Sequence, residues 1–151
     1  MANLNYTIDI EAPKQKVWQV MLELDTYKEW TGAFHPGSTY EGSWDKGSKI
    51  KFVSEDDRKL SGIFSQIAEN IPYEYVSIEH LGEIVDGKED MTSESAKQWS
   101  GSHENYRFTE KDGITTVDVE LTGDNIGDEI RKMFDGMWLR SLQKLKEICE
   151  R

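Results

Sequence analysis

Three polar side chains, His80, Glu104 and Tyr106, occur in stretches of alternating apolar residues, and the alternation predicts inward-facing positions on β-strands. Ile78 has the same strand parity as His80, and Phe108 has the same parity as Glu104 and Tyr106. Histidine and glutamate can act as general bases, and a tyrosine hydroxyl group can donate a hydrogen bond to a developing oxyanion. These three residues are therefore candidates for acid–base chemistry or for binding the polar end of a ligand.

Two interpretations of an inward-facing Glu104 remain open. A carboxylate buried without partners is strongly destabilised or takes up a proton, so Glu104 needs either a partner or water. In the structural interpretation, Glu104 lies near the rim of the sheet or pairs with His80, Tyr106 or a tryptophan N–H group. In the functional interpretation, Glu104 and His80 line a cavity and bind the polar end of a ligand.

Seven stretches with a period of two are predicted to form the strands that carry these residues. Turn residues such as Asp45-Lys46-Gly47 and Asp112-Gly113 separate successive strands, and short connections favour antiparallel neighbours. One link, residues 82–98, is long and acidic. It is either a mobile lid or a solvent-exposed loop. The predicted strands are residues 4–10, 38–43, 47–54, 59–69, 73–81, 103–109 and 113–122.

The stretch from residue 125 to residue 151 has the apolar period of a long helix that packs against a core. Its predicted inner face is rich in Met, Phe and Trp, whereas Leu139 points to the other side. Gly136 weakens the helix by about 1 kcal/mol relative to alanine. Two short helices are predicted to begin near Pro13 and Asp25. This order of elements predicts an α+β fold in which a curved, seven-stranded antiparallel sheet carries its helices on one face.

Charge and cysteine content exclude several classes of function. The net charge of -11 disfavours nucleic acids and anionic membrane surfaces, because negative charges repel phosphate groups. The single cysteine, Cys149, excludes an intrachain disulfide bond, and the three histidines lack ligand spacing, so no metal site is predicted. No nucleotide-binding or hydrolase motif occurs, so no cofactor is predicted either.

Length and apolar runs predict how the chain is organised. At 151 residues, the chain is expected to form a single domain spanning residues 1–151. No apolar run approaches the ~20 residues of a membrane span, and the first residues lack the basic and then apolar pattern of a signal peptide. A cytoplasmic location without membrane insertion is the expectation.

Short segments then carry a resemblance to a known family. They are the APxxxVW pattern from Ala12 to Trp18, the YxxW pattern from Tyr27 to Trp30, the strand pair at residues 42–52 and the closing helix from Met137. With the order of elements, they resemble the START-like superfamily, also called SRPBCC. Within it, the chain is similar to the small bacterial branch of polyketide cyclase-like proteins and activators of heat-shock chaperone ATPase.

The resemblance implies a helix-grip fold, in which seven antiparallel strands curl around the C-terminal helix and enclose a cavity. Members of the superfamily mostly bind apolar or amphipathic molecules there, and a minority catalyse cyclisation or related acid–base steps. The family shares no universal catalytic motif, so no catalytic residue is carried over. The implied cavity lining is Trp30, Phe34, Phe52, Phe64, Ile78, His80, Trp99, Glu104, Tyr106, Met133, Phe134 and Met137.

Three hypotheses of function follow, and the first is favoured. It is a binding protein for a small hydrophobic or amphipathic ligand, such as a lipid, a polyketide or an aromatic metabolite. The second is a cyclase- or isomerase-like enzyme with His80 or Glu104 as the general base and Tyr106 as a hydrogen-bond donor. The third is an interaction module for a chaperone ATPase, which would use exposed Leu139 or the acidic link to contact its protein partner.

Overall fold

The computed structural model describes residues 2–33, 37–56, 59–123 and 128–151, and these residues form eight strands and four helices. As predicted, one strand precedes two short helices, a series of strands and a long C-terminal helix. The elements are β1 (Ala2–Ile10), α1 (Lys14–Leu22), α2 (Leu24–Thr31), β2 (Thr39–Gly42), β3 (Lys49–Asp56), β4 (Lys59–Ile71), β5 (Tyr75–Val85), β6 (Lys88–Asp90), α3 (Glu94–Trp99), β7 (His103–Lys111), β8 (Ile114–Gly123) and α4 (Asp128–Glu150).

The described strands form one antiparallel sheet with the order β1-β8-β7-β5-β4-β3-β2, and β6 pairs with β5 outside this path. The register places Ile78 opposite Glu104 and Tyr106 opposite Val119. Helix α1 contacts β7 and β8, α2 contacts β2, and α4 contacts β1. The predicted α+β class, with a curved antiparallel sheet and a long C-terminal helix, is confirmed.

The sheet has one strand more than the seven predicted, because the long link is itself structured. Asp86 and Gly87 have φ angles of 51° and 79°, the positive values of a type I′ hairpin turn, and this turn folds β6 back onto β5. Ser93 then caps α3, where its hydroxyl oxygen accepts a hydrogen bond from the Ala96 backbone N–H group at 3.1 Å. The segment is therefore a hairpin followed by a short helix.

The main hydrophobic core lies between the sheet and helices α1, α2 and α4. On α4, Trp138 and Leu142 are buried, whereas Leu139 is 60% exposed, in agreement with the helical period of the sequence. Met133 is on the predicted inner face but is 52% exposed. Asn125, where the predicted helical stretch begins, lies outside the described residues.

A second, smaller apolar cluster contains Val53, Phe64 and Ile84. Phe64 lies opposite Lys51 in the register of β3 with β4, one residue out of phase with Phe52. Because a shift of one residue moves a side chain to the other face of a sheet, Phe64 does not share the inner face with Phe52. Apolar residues occur on both faces of this strand, so the sequence pattern alone did not predict which face points inward.

Candidate functional site

A cavity of about 360 Å³ lies between the sheet, α2, α3 and the N-terminal half of α4. Sites for small molecules typically have volumes of roughly 300–1,000 Å³, so this cavity suits a compact ligand. Its large side chains are mainly aromatic and aliphatic. They are Tyr27, Trp30, Phe52, Ile63, Trp99, Tyr106, Leu121, Met133, Phe134, Met137 and Trp138.

The aromatic side chains next to α1 are held by the carbonyl groups at the end of that helix. The Trp30 indole N–H group donates to the Met21 carbonyl oxygen at 3.0 Å. The Leu22 carbonyl oxygen accepts from the Tyr40 hydroxyl group at 2.6 Å and from the Trp44 indole N–H group at 3.0 Å. The last carbonyl groups of a helix lack intrahelical partners, so these bonds satisfy the carbonyl groups of α1 as well as the side-chain donors. Trp30 therefore contributes ring surface to the cavity, and its polar N–H group is already used.

Four side chains from adjacent strands form a polar cluster on the sheet side of the cavity: Ser65, His80, Glu104 and Tyr106. The Tyr106 hydroxyl group donates a hydrogen bond to Glu104 Oε2. Glu104 Oε1 lies 3.7 Å from His80 Nε2, and His80 Nδ1 lies 2.8 Å from Ser65 Oγ. Strand pairing brings these groups together, because Ser65 is opposite His80 in the register of β4 with β5.

Two hydroxyl groups of the cavity are held in their protonated form. Burial, and then the negative charge of Glu104, raises the pKa of Tyr106 well above its usual value. The same two causes, in the same order, raise the pKa of Tyr27. Both phenols are therefore neutral hydrogen-bond donors at physiological pH. The Tyr27 hydroxyl group makes no hydrogen bond to any described residue, so its donor is available to a molecule in the cavity.

Helix α3 brings Trp99 to the edge of the cavity. The Trp99 ring is perpendicular to the His80 ring, with centroids 6.2 Å apart, and its centroid lies 6.1 Å from that of Phe134 on α4. The Ser102 hydroxyl group donates to the Trp99 carbonyl oxygen at 2.6 Å, and the Ser102 carbonyl oxygen accepts from the His80 backbone N–H group at 2.9 Å. The segment that the sequence presents as a link thus forms one wall of the cavity.

Most of the residues that the family resemblance implied are grouped around the cavity. Ile78 instead lies in the main core and is completely buried. Phe64 belongs to the separate cluster on the other face of the sheet, and Phe34 lies outside the described residues. Glu104 has a protein partner and also borders the cavity, so features of both interpretations of this residue are present. The implied residues on the lining are Trp30, Phe52, His80, Trp99, Glu104, Tyr106, Met133, Phe134 and Met137.

Several lining residues were missing from the sequence-based set. Tyr27 precedes Trp30 by three residues on α2, and Trp138 follows Phe134 by four on α4, so helical spacing could have assigned both. Thr31 follows Tyr27 by four residues on α2, so the same spacing applies to it. The hydroxyl residues on strands carry no comparable signal, because whether they border a cavity depends on the packing of strands and helices that are distant in sequence. They are Thr39, Ser54, Ser61 and Thr122.

Charged groups are few on the cavity wall. Among the described lining residues, Glu104 is the one carboxylate, and no lysine or arginine is present. Across the described ranges, no three His, Cys, Asp or Glu side chains are arranged to hold a metal ion. None of the described helices is long and apolar enough to cross a membrane.

A protein-family model described as "Activator of Hsp90 ATPase homolog 1-like protein" matches residues 11–150. The chain belongs to the Activator of Hsp90 ATPase homolog 1-like family. No curated protein matches the chain at a significant level. Membership in this family agrees with the START-like resemblance of the sequence, which is confirmed.

Several solved structures have the same fold as this chain. The Aha1 dimer from Colwellia psychrerythraea is 21% identical, with a TM-score of 0.74 over 99% of this chain and 97% of its own. ChR145 from Cytophaga hutchinsonii is 18% identical, with a TM-score of 0.73 over 98% of this chain and 93% of its own. DynU16, a protein in the dynemicin biosynthetic locus, is 14% identical, with a TM-score of 0.66 over 96% of this chain and 46% of its own. At such identities, the likeness shows the fold alone, and this chain shares the helix-grip fold with these proteins.

Proposed function

We propose that this chain binds a small hydrophobic or amphipathic molecule in the cavity between the sheet and α4. The observation that carries the proposal is the cavity itself, which has about 360 Å³ of space, an aromatic and aliphatic wall, and one polar cluster. Small-molecule sites are typically concave and mostly apolar, with a few placed polar groups that orient the ligand. A lipid chain, a polyketide or an aromatic metabolite has the matching chemistry.

The side chains of the wall suit such a ligand in two ways. Trp30, Phe52 and Trp99 supply rigid ring surfaces, whose burial against an apolar molecule is favourable by about 25 cal/mol per Å². Met133 and Met137 add flexible thioether chains that can adapt to the shape of the ligand. A bound molecule would also cover part of the exposed Met133 side chain.

Tryptophan fluorescence and native mass spectrometry test the proposal, because Trp30, Trp99 and Trp138 line the cavity. A panel of fatty alcohols, aromatic metabolites and polyphenols should include members that shift the emission in a saturable way and bind with 1:1 stoichiometry. Met137→Trp should fill the cavity and weaken binding by about tenfold or more, equivalent to about 1.4 kcal/mol. The control is Gln143→Trp, which adds the same side chain at an exposed position of the same helix.

Two results would overturn the proposal. One is that no member of the panel binds. The other is that Met137→Trp and Gln143→Trp bind the ligand as tightly as the unmodified chain, because the ligand would then be seated outside the cavity. Circular dichroism of each variant separates lost binding from lost folding.

A second candidate function is acid–base catalysis on a ketone-like substrate that cyclises or tautomerises. The observation that favours it is the juxtaposition of His80, Glu104 and Tyr106 at the wall of one cavity. His80 or Glu104 would remove a proton, and a tyrosine hydroxyl group would donate to the developing oxyanion. Once a substrate is identified by turnover, activity that survives in both His80→Ala and Glu104→Ala would reject this assignment.

A third candidate is contact with a chaperone ATPase, which the description of the family suggests. The feature that favours it is Leu139, a large apolar side chain that is 60% exposed on α4. A pull-down with the purified chain should then enrich a chaperone, and Leu139→Asp should lose it while Gln143→Asp on the same helix retains it. Failure to enrich a chaperone would count against this function and leave the cavity proposal unaffected.

A further inference from the structure

We propose that the cavity selects molecules whose polar head donates hydrogen bonds, above all a protonated primary amine, and discriminates against carboxylates with the same apolar body. This inference rests on the proposed function and names the class of ligand for the same cavity. Three features of the described residues carry it: the charges of the wall, the unused hydrogen-bonding capacity of Glu104, and the aromatic rings beside it.

The charges of the wall favour a cation over an anion. Glu104 is the one carboxylate among the described lining residues, and these residues include no lysine or arginine that could pair with a ligand carboxylate. A carboxylate approaching His80 Nε2 would also meet Glu104, whose Oε1 is 3.7 Å from that nitrogen, and like charges repel at such distances. The net charge of -11 adds a potential that attracts cations to the whole molecule.

Glu104 has acceptor capacity that the protein does not use. An ionised carboxylate offers about four lone-pair sites, and among the described residues Glu104 accepts one hydrogen bond, from Tyr106. The 3.7 Å distance from Oε1 to His80 Nε2 exceeds the ~3.2 Å limit of an N–H···O hydrogen bond. The Glu104 side chain is only 20% exposed, so solvent has limited access to it. An ammonium group carries three N–H donors and would complete the hydrogen bonds of this carboxylate.

A series of neighbouring aromatic rings extends from Tyr106, which donates a hydrogen bond to Glu104, to the helices of the cavity wall. The ring centroids of Tyr106 and Trp138 are 6.3 Å apart, those of Trp138 and Trp30 are 6.3 Å apart, and those of Trp30 and Tyr27 are 5.5 Å apart. A cation within about 6 Å of a ring centroid is attracted by the negative face of the ring, whereas an anion is repelled by it. The wall is thus attractive to an amine and unattractive to a carboxylate even beyond Glu104 itself.

A matched series of three naphthalene derivatives tests the inference on the intact chain at pH 7. The probes are 2-(2-naphthyl)ethylamine, 2-(2-naphthyl)ethanol and 2-naphthylacetate, which share an apolar body and carry a cationic, a neutral and an anionic head. Isothermal titration calorimetry should show the amine binding about 10- to 100-fold more tightly than the carboxylate, as expected for a hydrogen bond to a charged group. The alcohol should bind with intermediate affinity.

Two matched variants then separate Glu104 from the general charge of the chain. Glu104→Gln keeps the shape of the side chain and removes its charge, so the preference for the amine should fall to within about threefold. Glu79→Gln removes the same charge from β5, at a position opposite Gln66 and His103 and outside the cavity lining. Glu79→Gln should keep the preference of the unmodified chain.

The outcomes distinguish this inference from the proposed function. If all three probes bind equally, or the carboxylate binds most tightly, the ligand class is wrong while the binding function stands. If Glu79→Gln loses the preference as fully as Glu104→Gln, the net charge and not the cavity selects the head group, which also overturns the inference. If no probe binds, the proposed function fails and this inference fails with it. If Glu104→Gln does not fold, the unmodified chain still tests the inference, because an amine that binds no more tightly than the carboxylate overturns it.

Discussion

At the scale of single residues, two tyrosines and one glutamate determine the polar character of the cavity. The raised pKa of Tyr106 keeps its hydroxyl group protonated, and that group donates to Glu104 Oε2. The pKa of Tyr27 is raised as well, and its hydroxyl group has no hydrogen-bond partner among the described residues. These residues therefore offer a carboxylate with spare acceptor sites and a neutral phenol donor to a molecule in the cavity.

The raised pKa of Tyr106 predicts a loss of stability at alkaline pH. Below its usual pKa of 10.0, the phenol is protonated in both the folded and the unfolded chain, so its contribution to stability is fully present. Above that value, the unfolded chain releases the proton and the folded chain retains it, so the free energy of unfolding declines as pH rises. Urea unfolding of Tyr106→Phe between about pH 9 and pH 11 should show a shallower decline, by up to about 1.4 kcal/mol per pH unit.

This alkaline decline should be reduced in Tyr106→Phe and not abolished. Burial also raises the pKa of Tyr27 and of Tyr6, so these phenols contribute in the same direction. Identical slopes for the variant and the unmodified chain would contradict a raised pKa at Tyr106.

Gly82 is required by close packing at the pairing of β5 with β6. A Cβ atom at this position would lie 2.4 Å from the Asp90 carbonyl oxygen and 2.7 Å from Phe64 Cε1. Gly82→Ala should therefore lower the free energy of unfolding by about 1–3 kcal/mol, the usual cost of overpacking, as measured by urea unfolding. In the control, Gly87→Asn, the added Cβ meets no atom within 4 Å and asparagine tolerates the positive φ, so the cost should be smaller. Equal costs in the two variants would argue against a packing role for Gly82.

At the scale of elements, the segment from β6 through α3 is important because it forms one wall of the cavity. Glu89 on β6 lies 3.0 Å from Lys49 Nζ and 3.5 Å from Lys51 Nζ on β3. The hydrogen bond from Lys49 lowers the pKa of Glu89, but these exposed ion pairs are worth little energy individually. The hairpin and the capped helix matter because they carry Trp99 to the cavity, where its ring meets those of His80 and Phe134.

Replacing Gly136, in the middle of α4, with alanine should stabilise the folded chain. A Cβ atom there would meet Arg140 Nη1 at 3.3 Å, which is the flexible end of a long side chain. Gly136→Ala should raise the free energy of unfolding by about 0.5–1 kcal/mol, because alanine loses less backbone entropy in a helix. Urea unfolding checks this value. A decrease in stability would mean that the space beside Arg140 is needed by the fold.

At the scale of the whole molecule, the net charge of -11 predicts that salt stabilises the folded chain. Like charges repel more strongly in the compact state than in the unfolded state, and added salt screens this repulsion. Raising NaCl from about 20 mM to about 300 mM should move the urea midpoint upward. A downward shift would show that ion pairs such as Lys46–Glu69 and Lys59–Asp86 outweigh the repulsion.

Much of the fold was predictable because its signals are local. A period of two identified the strands that carry His80 and Glu104, and a period of 3.6 identified α4 and its exposed Leu139. Turn residues marked most of the connections between neighbouring strands. The extra hairpin was missed although Asp86-Gly87 is a typical hairpin turn, because the apolar alternation stops there and β6 has only three residues.

Local patterns along the chain predicted the order of all elements except β6 and α3, the inner face of most strands and the inward direction of the polar candidates. The packing of the folded chain was needed to show that Phe64 lies on the other face of the sheet and that Ile78 is buried in the core. It alone brought Ser65, His80 and Glu104 into one cluster. Side-chain direction follows from neighbouring residues along the chain, whereas register, distance and free volume depend on strands and helices that are far apart in sequence.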